Sequence, residues 1–214
     1  MTVHIWGRLS SLNVRKVVWA AQETGVAFTR SDAGMAFGVV KTPEYLAMNP
    51  NALVPTLQDG DFTLWESNAI VRYIFAKYGN EQLYPQDLAQ RFDAERWMDW
   101  CTSTLWPTFR PVFWNLVRTP EDKRNMKEVE EGAKKTAEIL ARLDGYLAGR
   151  QFVAGDQLTI GDIAFGPVVY LVNNVMPQRP KLANYDAWYD RISSRPAFNR
   201  RSFSICAERT AELS

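Results

Sequence analysis

Short apolar runs alternate with helical patterns in the first third of the chain. The pattern predicts strands over 3–6, 27–31, 54–57 and 62–64, and helices over 13–24, 42–48 and 67–78. Gly25 and Gly79 end the first and last of these helices, and Asp59-Gly60 favours a type I′ turn between two antiparallel strands. We therefore expect a β-α-β start followed by a hairpin, in an α/β domain over residues 1–79.

The pattern changes after a linker predicted at 80–86, because no strand pattern follows it. Helices are predicted over 89–117, 121–148, 159–173 and 185–193. Pro107 and Pro111 strain the first of them, since proline cannot donate the helical hydrogen bond. The second domain, 87–214, is therefore expected to be an all-α helical bundle.

The third of these helices has a well-specified start. Thr159 is placed to accept from the backbone N–H of Asp162, whose carboxylate reaches back to the N–H of Thr159 in a capping box. Leu158 and Ile163 occupy the positions of a hydrophobic staple. We interpret this start as a folding device with no direct chemical role.

Charges balance almost evenly, with 25 Lys and Arg against 24 Asp and Glu. A chain with so little net charge has no broad positive electrostatic field to attract nucleic acid or an anionic membrane, so neither is an expected partner. Residues 1–22 lack the apolar stretch of a signal peptide, and the longest apolar run, 163–172, has about half of the 20 residues that a membrane-spanning helix needs. A cytoplasmic location is expected.

Metal and disulfide chemistry find little support in the sequence. Cys101 and Cys206 form no CxxC pattern, which argues against a disulfide framework, a zinc site and a dithiol redox motif. His4 is the only histidine and lies in a strand pattern, where packing is its expected role. No metal cofactor is expected.

The first segment with candidate chemistry is the polar stretch 7–17, between the first strand and the first helix. Hydroxyls and free backbone N–H groups beside a positive helix end stabilise an anion. On local pattern alone, capping of the helix by Ser11 or Asn13 is the favoured alternative.

Two more segments suit a peptide-like ligand. In 49–57, Pro55 donates no ladder hydrogen bond, so an extended ligand has room to pair with the main chain of Val54; an ordinary edge-strand proline is the alternative. Glu66 and Ser67 precede a helical pattern and suit the ammonium and carboxylate of an α-amino-acid head group. By itself this pair also fits a simple helix cap.

In this order, with Val54-Pro55, the run Glu66-Ser67-Asn68-Ala69-Ile70 and the capping motif at 158–163, the segments resemble the cytosolic glutathione transferase family over essentially the whole chain. The serine-rich loop is similar to the serine-using, theta- and phi-like or bacterial branches. The resemblance implies a thioredoxin-like N-terminal domain, a cis Val54-Pro55 bond, an all-helical C-terminal domain, a homodimer and a role in detoxification.

The resemblance also implies glutathione as co-substrate, with its thiolate stabilised by a serine hydroxyl. The implied sulfur contact is Ser11, with Ser10 and Asn13 as neighbouring candidates. The implied contacts to the rest of glutathione are Lys41 at the glycine carboxylate, Val54 and Pro55 at the cysteinyl backbone, and Glu66 and Ser67 at the γ-glutamyl end. Leu53 replaces a polar contact of many relatives, which moves that contact to Asn51 or removes it.

The second substrate is expected to be a small hydrophobic electrophile. Trp106, Arg110, Phe113 and Trp114 recur at roughly helical spacing and, with Phe37, predict an apolar pocket with one cation. Aromatic residues at such spacing also form cores, and that alternative stays open.

Two other functions fit the same fold. One is a non-catalytic binding or scaffold module, which has no need for Ser11, Val54, Glu66 and Ser67 together. The other is a glutathione-dependent isomerase, peroxidase or dehalogenase at the same site, although Leu12 stands where the isomerase loop carries a cysteine.

Overall fold

The computed structural model describes residues 2–198. These residues form two compact units, one from 2–85 with 196–198 and one from 86–195. The predicted roles of the two domains, 1–79 and 87–214, and of a linker at 80–86 stay a prediction.

The first unit is a four-stranded sheet with helices. Its elements are β1 (Thr2–Trp6), α1 (Leu12–Thr24), β2 (Ala27–Ser31), α2 (Pro43–Met48), β3 (Thr56–Asp59), β4 (Phe62–Trp65) and α3 (Ser67–Tyr78). The strand order is β2-β1-β3-β4, with β1 parallel to β2 and the other neighbours antiparallel. In register, Trp6 pairs with Thr56 and Thr56 with Trp65. This mixed sheet confirms the predicted thioredoxin-like fold.

Helices α1 and α3 pack against each other and supply much of the core of this unit. The apolar positions that predicted the two helices are fully buried, among them Val17, Trp19, Ile70 and Ile74. The Lys16 Nζ atom donates to Asn68 Oδ1 over 3.4 Å, which links α1 to the first turn of α3. As predicted, α1 ends at Gly25, which adopts a left-handed conformation with φ of 70°.

Two details of the hairpin differ from the sequence prediction. The predicted strand 54–57 begins at Thr56 instead, because Pro55 has no N–H and the β1 ladder starts at the next residue. The predicted type I′ turn is wrong: Gly60, with φ of 60°, is the only one of the two central residues with positive φ. That pattern is a type II′ turn, which places glycine at the first central position.

The second unit is all-helical over its described residues, as predicted. Its main helices are α4 (Leu88–Trp100), α5 (Trp106–Phe113), α6 (Met126–Leu147), α7 (Ile160–Val175) and α8 (Ala183–Ser193). The predicted helix 89–117 is interrupted by π-helical segments at Cys101–Leu105 and Trp114–Arg118, on either side of the two prolines that α5 contains. The predicted helix 121–148 starts only at Met126, because Asn125 caps it by accepting from the N–H of Glu128.

Asp162 is the polar centre of the second unit. Its carboxylate accepts from the N–H of Thr159 at 3.0 Å, the N–H of Val153 at 3.1 Å and Trp188 Nε1 at 2.9 Å. The predicted capping box forms around this carboxylate. Asp162 therefore joins the start of α7 to the preceding loop and to α8, in keeping with a folding role.

Asp59 is a comparable centre in the first unit, at the hairpin end of β3. Its Oδ2 atom accepts from Tyr73 at 2.7 Å, Lys77 at 2.6 Å and Tyr78 at 2.5 Å, all on α3. Burial works to raise the pKa of this carboxyl, but the three hydrogen bonds outweigh burial and lower the pKa from 3.8 to about 2.

The Asp59 cluster predicts acid sensitivity of the first unit. A carboxyl whose pKa is lower in the folded than in the unfolded state stabilises the fold above its unfolded pKa, and that contribution disappears as the pH falls from about 4 to about 2. The free energy of unfolding, measured by urea denaturation against pH, should fall less steeply over this window in Asp59→Asn than in the unmodified protein. Equal slopes would remove Asp59 from the acid response.

Candidate active site

A pocket of about 50 Å³ in the first unit brings the three sequence segments together. Its lining residues come from the start of α1, from the segment between α2 and β3, and from the junction of β4 with α3: Asn13, Asn49, Asn51, Leu53, Val54, Pro55, Trp65, Glu66 and Ser67. Seven of these were predicted as site residues, whereas Asn49 and Trp65 were missed. Within the described chain, Ser10, Ser11 and Lys41 do not line this pocket.

The Val54 main chain is open for pairing. The Val54-Pro55 peptide bond is cis, as the family resemblance implies. No described residue hydrogen-bonds to the main-chain N–H or carbonyl of Val54. A half-buried main chain without partners favours pairing with an extended ligand.

The start of α3 presents donors to the same pocket. Ser67 is 6% exposed, and its hydroxyl makes no hydrogen bond with a described residue. The preceding Glu66 is exposed, does not cap the helix and has a φ of 72°. A non-glycine residue in this region costs about 1–3 kcal/mol and is typical of functional sites. The simple capped helix considered from the sequence is therefore not what this start forms.

Ser11 occupies the N-cap position of α1, but its side chain makes no capping hydrogen bond. The first turn of α1 also contains no acidic residue, so its N–H groups keep their positive potential. The alternative in which Ser11 caps the helix is thus not realised in the structure. Ser10 lies in the preceding turn, and Asn13 is exposed at the pocket.

Close packing fixes the loop that carries these residues. Gly7 has a φ of 146°, and a Cβ atom built there would lie 2.4 Å from Val14 Cγ2 and 3.1 Å from Val54 Cβ. Arg15 is 4% exposed, and its Nε atom donates to the Leu9 carbonyl at 2.5 Å. Residues 7–11 are thereby held between α1 and the loop before β3 that carries Val54, called the Val54 loop below.

The predicted contacts around Leu53 differ in exposure and bonding. The Leu53 side chain is 65% exposed and lines the pocket. Asn51 Nδ2 donates to Asn49 Oδ1 at 3.1 Å, so one of its two amide hydrogens is already committed within the loop. Lys41 is exposed, ahead of α2.

The predicted electrophile residues lie in different surroundings. Phe37, in the first unit, is 53% exposed between Gly34 and Gly38. In the second unit, Phe113 is buried and packs against Trp106 with ring centroids 5.6 Å apart. Arg110 lies over the ring of the exposed Trp114 at 5.6 Å, a cation–π contact. Phe113 therefore packs within its own unit, and its contact with an electrophile stays a prediction.

Neither a metal cluster nor a membrane-spanning helix is present among the described residues. No group of three or more His, Cys, Asp or Glu side chains there is arranged to hold a metal ion. No helix between residues 2 and 198 is long and apolar enough to cross a bilayer. Cys101 is buried, and its Sγ atom donates to the Ala164 carbonyl at 3.5 Å; Cys206 lies outside the described residues.

Comparison with known proteins agrees with this geometry. The model of the glutathione S-transferase N-terminal domain matches residues 1–76, and that of the C-terminal domain matches residues 105–196. Glutathione S-transferase GstB of Escherichia coli strain K12 is 39% identical over 200 residues, which are 92% of this chain and 96% of that protein. Glutathione S-transferase F10 of Arabidopsis thaliana is 33% identical and covers 94% of this chain and 97% of its own length.

A solved structure is similar over the same span. The theta class glutathione S-transferase of Xanthomonas axonopodis pv. citri, with glutathione bound, is 46% identical with a TM-score of 0.89, covering 94% of this chain and 97% of that one. The chain belongs to the glutathione S-transferase family. The predicted enzyme class, a transferase of this family, is confirmed.

The packing at Gly7 predicts a cost for any side chain there. Gly7→Ala should lower the free energy of unfolding by about 1–3 kcal/mol, because the new Cβ meets Val14 and the backbone leaves its favoured region. Gly145→Ala is the matched control, since its Cβ meets open space in α6, and helix propensity predicts a gain of about 0.5–1 kcal/mol. Chemical denaturation measures the free energy of unfolding of both variants. Equal values for the two variants would contradict the packing argument.

Proposed function

We propose that this transferase binds glutathione in the pocket of the first unit and transfers it to small apolar electrophiles, with the thiolate held by the hydroxyl of Ser11. The observation that carries the proposal is the convergence of Asn13, Val54 and Ser67, from three distant segments, on one pocket. Glutathione is reported bound in the similar Xanthomonas structure, which supports the same ligand here.

The γ-glutamyl head group belongs at the start of α3 in this proposal. The Ser67 hydroxyl and the first N–H groups of α3 suit its carboxylate, and the exposed Glu66 carboxylate suits its ammonium. The strained φ of Glu66 supports this role, because it turns the chain into α3 without an acidic cap that competes with a bound carboxylate.

The cysteinyl residue belongs beside Val54. An extended peptide backbone that exchanges hydrogen bonds with the N–H and carbonyl of Val54 satisfies both groups, as a strand does when it adds to a sheet. Pro55 follows at the pocket wall, and Lys41 and Asn51 remain proposed contacts for the glycine end.

The sulfur then belongs at the start of α1. Lowering a thiol pKa from about 8.5 to about 6.5 requires roughly 2.7 kcal/mol of preference for the anion. One hydrogen bond to a charged group supplies about 1.5–3 kcal/mol, and a helix N-terminus about 0.3–1 kcal/mol. The hydroxyl of Ser11, free of any capping bond, and the acid-free first turn of α1 are therefore sufficient together.

The reaction needs no oxidant or further cofactor. The thiol proton leaves to solvent, and the Ser11 hydroxyl donates to the resulting thiolate. The sulfur lone pair forms the new C–S bond, and the leaving group departs with its bonding pair, as chloride does from 1-chloro-2,4-dinitrobenzene. Phe37, Trp106, Arg110, Phe113 and Trp114 are the proposed contacts of the electrophile.

The oligomeric state, the location and the role of the protein are also proposals. We propose a homodimer, a cytoplasmic location and a role in detoxification, with light scattering as the test of the dimer. Isomerase, peroxidase or dehalogenase chemistry at the same site is a second candidate function, since a bound thiolate serves each of them. Comparative turnover of an aryl chloride and a peroxide separates these reactions.

Ser11→Ala tests the proposed mechanism. The variant should raise the pKa seen in the pH profile of kcat/KM for 1-chloro-2,4-dinitrobenzene by about 1–2 units, because the thiolate loses its hydrogen bond of about 1.5–3 kcal/mol. Activity at pH 7 should fall about 3- to 25-fold, as the thiolate fraction does, and recover at alkaline pH.

Ser10→Ala is the matched control one residue away, and it should leave the pH profile in place. An unchanged profile in Ser11→Ala with a displaced one in Ser10→Ala would move the sulfur contact to Ser10. No turnover by the unmodified protein and no retention on immobilised glutathione would instead favour the scaffold alternative.

A further inference from the structure

Asn49 lies under the Val54 loop and was not anticipated as a site residue. Its side chain is 2% exposed yet borders the pocket. The Nδ2 atom donates to the Leu53 carbonyl at 2.9 Å and to Thr56 Oγ1 at 3.0 Å. The Oδ1 atom accepts from the main-chain N–H and the side-chain amide of Asn51, both at 3.1 Å. All hydrogen-bonding groups of this amide are thus committed to the loop.

Tyr45 on α2 holds the same carbonyl. Its hydroxyl donates to the Leu53 carbonyl at 2.7 Å and lies 2.9 Å from Thr56 Oγ1. Because the Tyr45 proton is used on Leu53, the Thr56 hydroxyl donates to Tyr45 and accepts from Asn49. The network is therefore closed, with one consistent direction for every proton.

The hydrogen bonds from Tyr45 and Asn49 to the Leu53 carbonyl form a clamp. This clamp acts on the peptide unit that carries the Val54 N–H. The Leu53 carbonyl and the Val54 N–H belong to one planar peptide group, and the cis bond of this loop is the next one, Val54-Pro55. In a trans peptide, the N–H points opposite to the carbonyl. Two donors on the Leu53 carbonyl therefore turn the Val54 N–H away from Tyr45 and Asn49.

The loop needs this clamp because its own backbone is strained. Ala52 has a φ of 53°, a conformation that a non-glycine residue adopts at a cost. Apart from the hydrogen bond from the Ala52 N–H to the Asn49 carbonyl at 3.1 Å, the main chain over 52–54 is held by side chains.

We propose that Asn49, with Tyr45 and Thr56, is a positioning residue that aims the Val54 N–H at the backbone of a bound peptide ligand. The proposal rests on the proposed glutathione site and adds the group that orients its main-chain donor. Asn49 itself touches neither the sulfur nor the electrophile.

Asn49→Ala and Tyr45→Phe test the clamp by affinity. Asn49→Ala should weaken glutathione binding about tenfold or more in calorimetry and raise KM for glutathione in parallel, the size expected for loss of buried hydrogen bonds. The kcat at saturating glutathione, the pH profile and the KM for 1-chloro-2,4-dinitrobenzene should stay within about twofold. Tyr45→Phe, which keeps the ring and removes one donor, should show a smaller shift of the same kind.

Asp59→Asn is the matched control. It removes the other buried polar centre of the same unit, at the far end of β3 from the pocket. It should lower stability without changing glutathione affinity by more than about twofold. A similar loss of affinity in Asp59→Asn would reduce the role of Asn49 to general stability.

Amide hydrogen exchange over residues 50–56 separates the clamp from the ligand assignment. Exchange there should become faster in Asn49→Ala and Tyr45→Phe but not in Asp59→Asn, in protein without ligand. Unchanged exchange rates in both variants would contradict the proposal that Asn49 and Tyr45 hold this loop. Faster exchange in a protein that binds no glutathione would instead keep the clamp and remove the proposed function.

Discussion

The site depends on main-chain donors that the fold leaves without partners at one end of a four-stranded sheet. The starts of α1 and α3 and the loop before β3 border the same pocket; the first N–H groups of a helix have no acceptor within it, and the Val54 main chain has no hydrogen-bond partner among the described residues. Satisfying such groups is favourable for any ligand that presents a carboxylate, a peptide backbone and an anion in that order. Glutathione as a thiolate has these three parts.

Two buried carboxylates outside the pocket, unlike the hydroxyls at the site, have several hydrogen-bond partners. Asp59 accepts three hydrogen bonds and Asp162 four, and each joins elements of its own unit. Satisfied buried groups of this kind stabilise one arrangement of the backbone. The hydroxyls of Ser11 and Ser67, by contrast, make no hydrogen bond with described residues. Asp59 and Asp162 are thus occupied by groups of their own unit, while the hydroxyls of Ser11 and Ser67 stay available to a ligand.

Most of the fold follows from local rules in the sequence. Short apolar runs and helical patterns located β1, β2, α1 and α3, and the Gly25 signal ended α1 as predicted. The turn type was not predictable from Asp59-Gly60 alone, because strand register decides which residues are central. The start of β3 was also missed, since an apolar Val54 looks like a strand residue until its missing ladder partners are known.

Parts of the site were harder to predict for a similar reason. Val54, Glu66 and Ser67 stand in recognisable motifs, but Asn49 acts through bonds to Leu53 and Thr56 that only the folded loop creates. Its signal in the sequence, an Asn-Pro step, is typical of many turns. The predicted strand ended at residue 64, and the place of Trp65 at the pocket follows from its register with Thr56.

A crystal structure of the protein with reduced glutathione would show where each part of the tripeptide lies. The sulfur should lie within hydrogen-bond distance of the Ser11 hydroxyl, with the cysteinyl backbone paired with Val54 and the γ-glutamyl carboxylate at Ser67. A tripeptide bound elsewhere, or bound with its sulfur away from the start of α1, would contradict this arrangement.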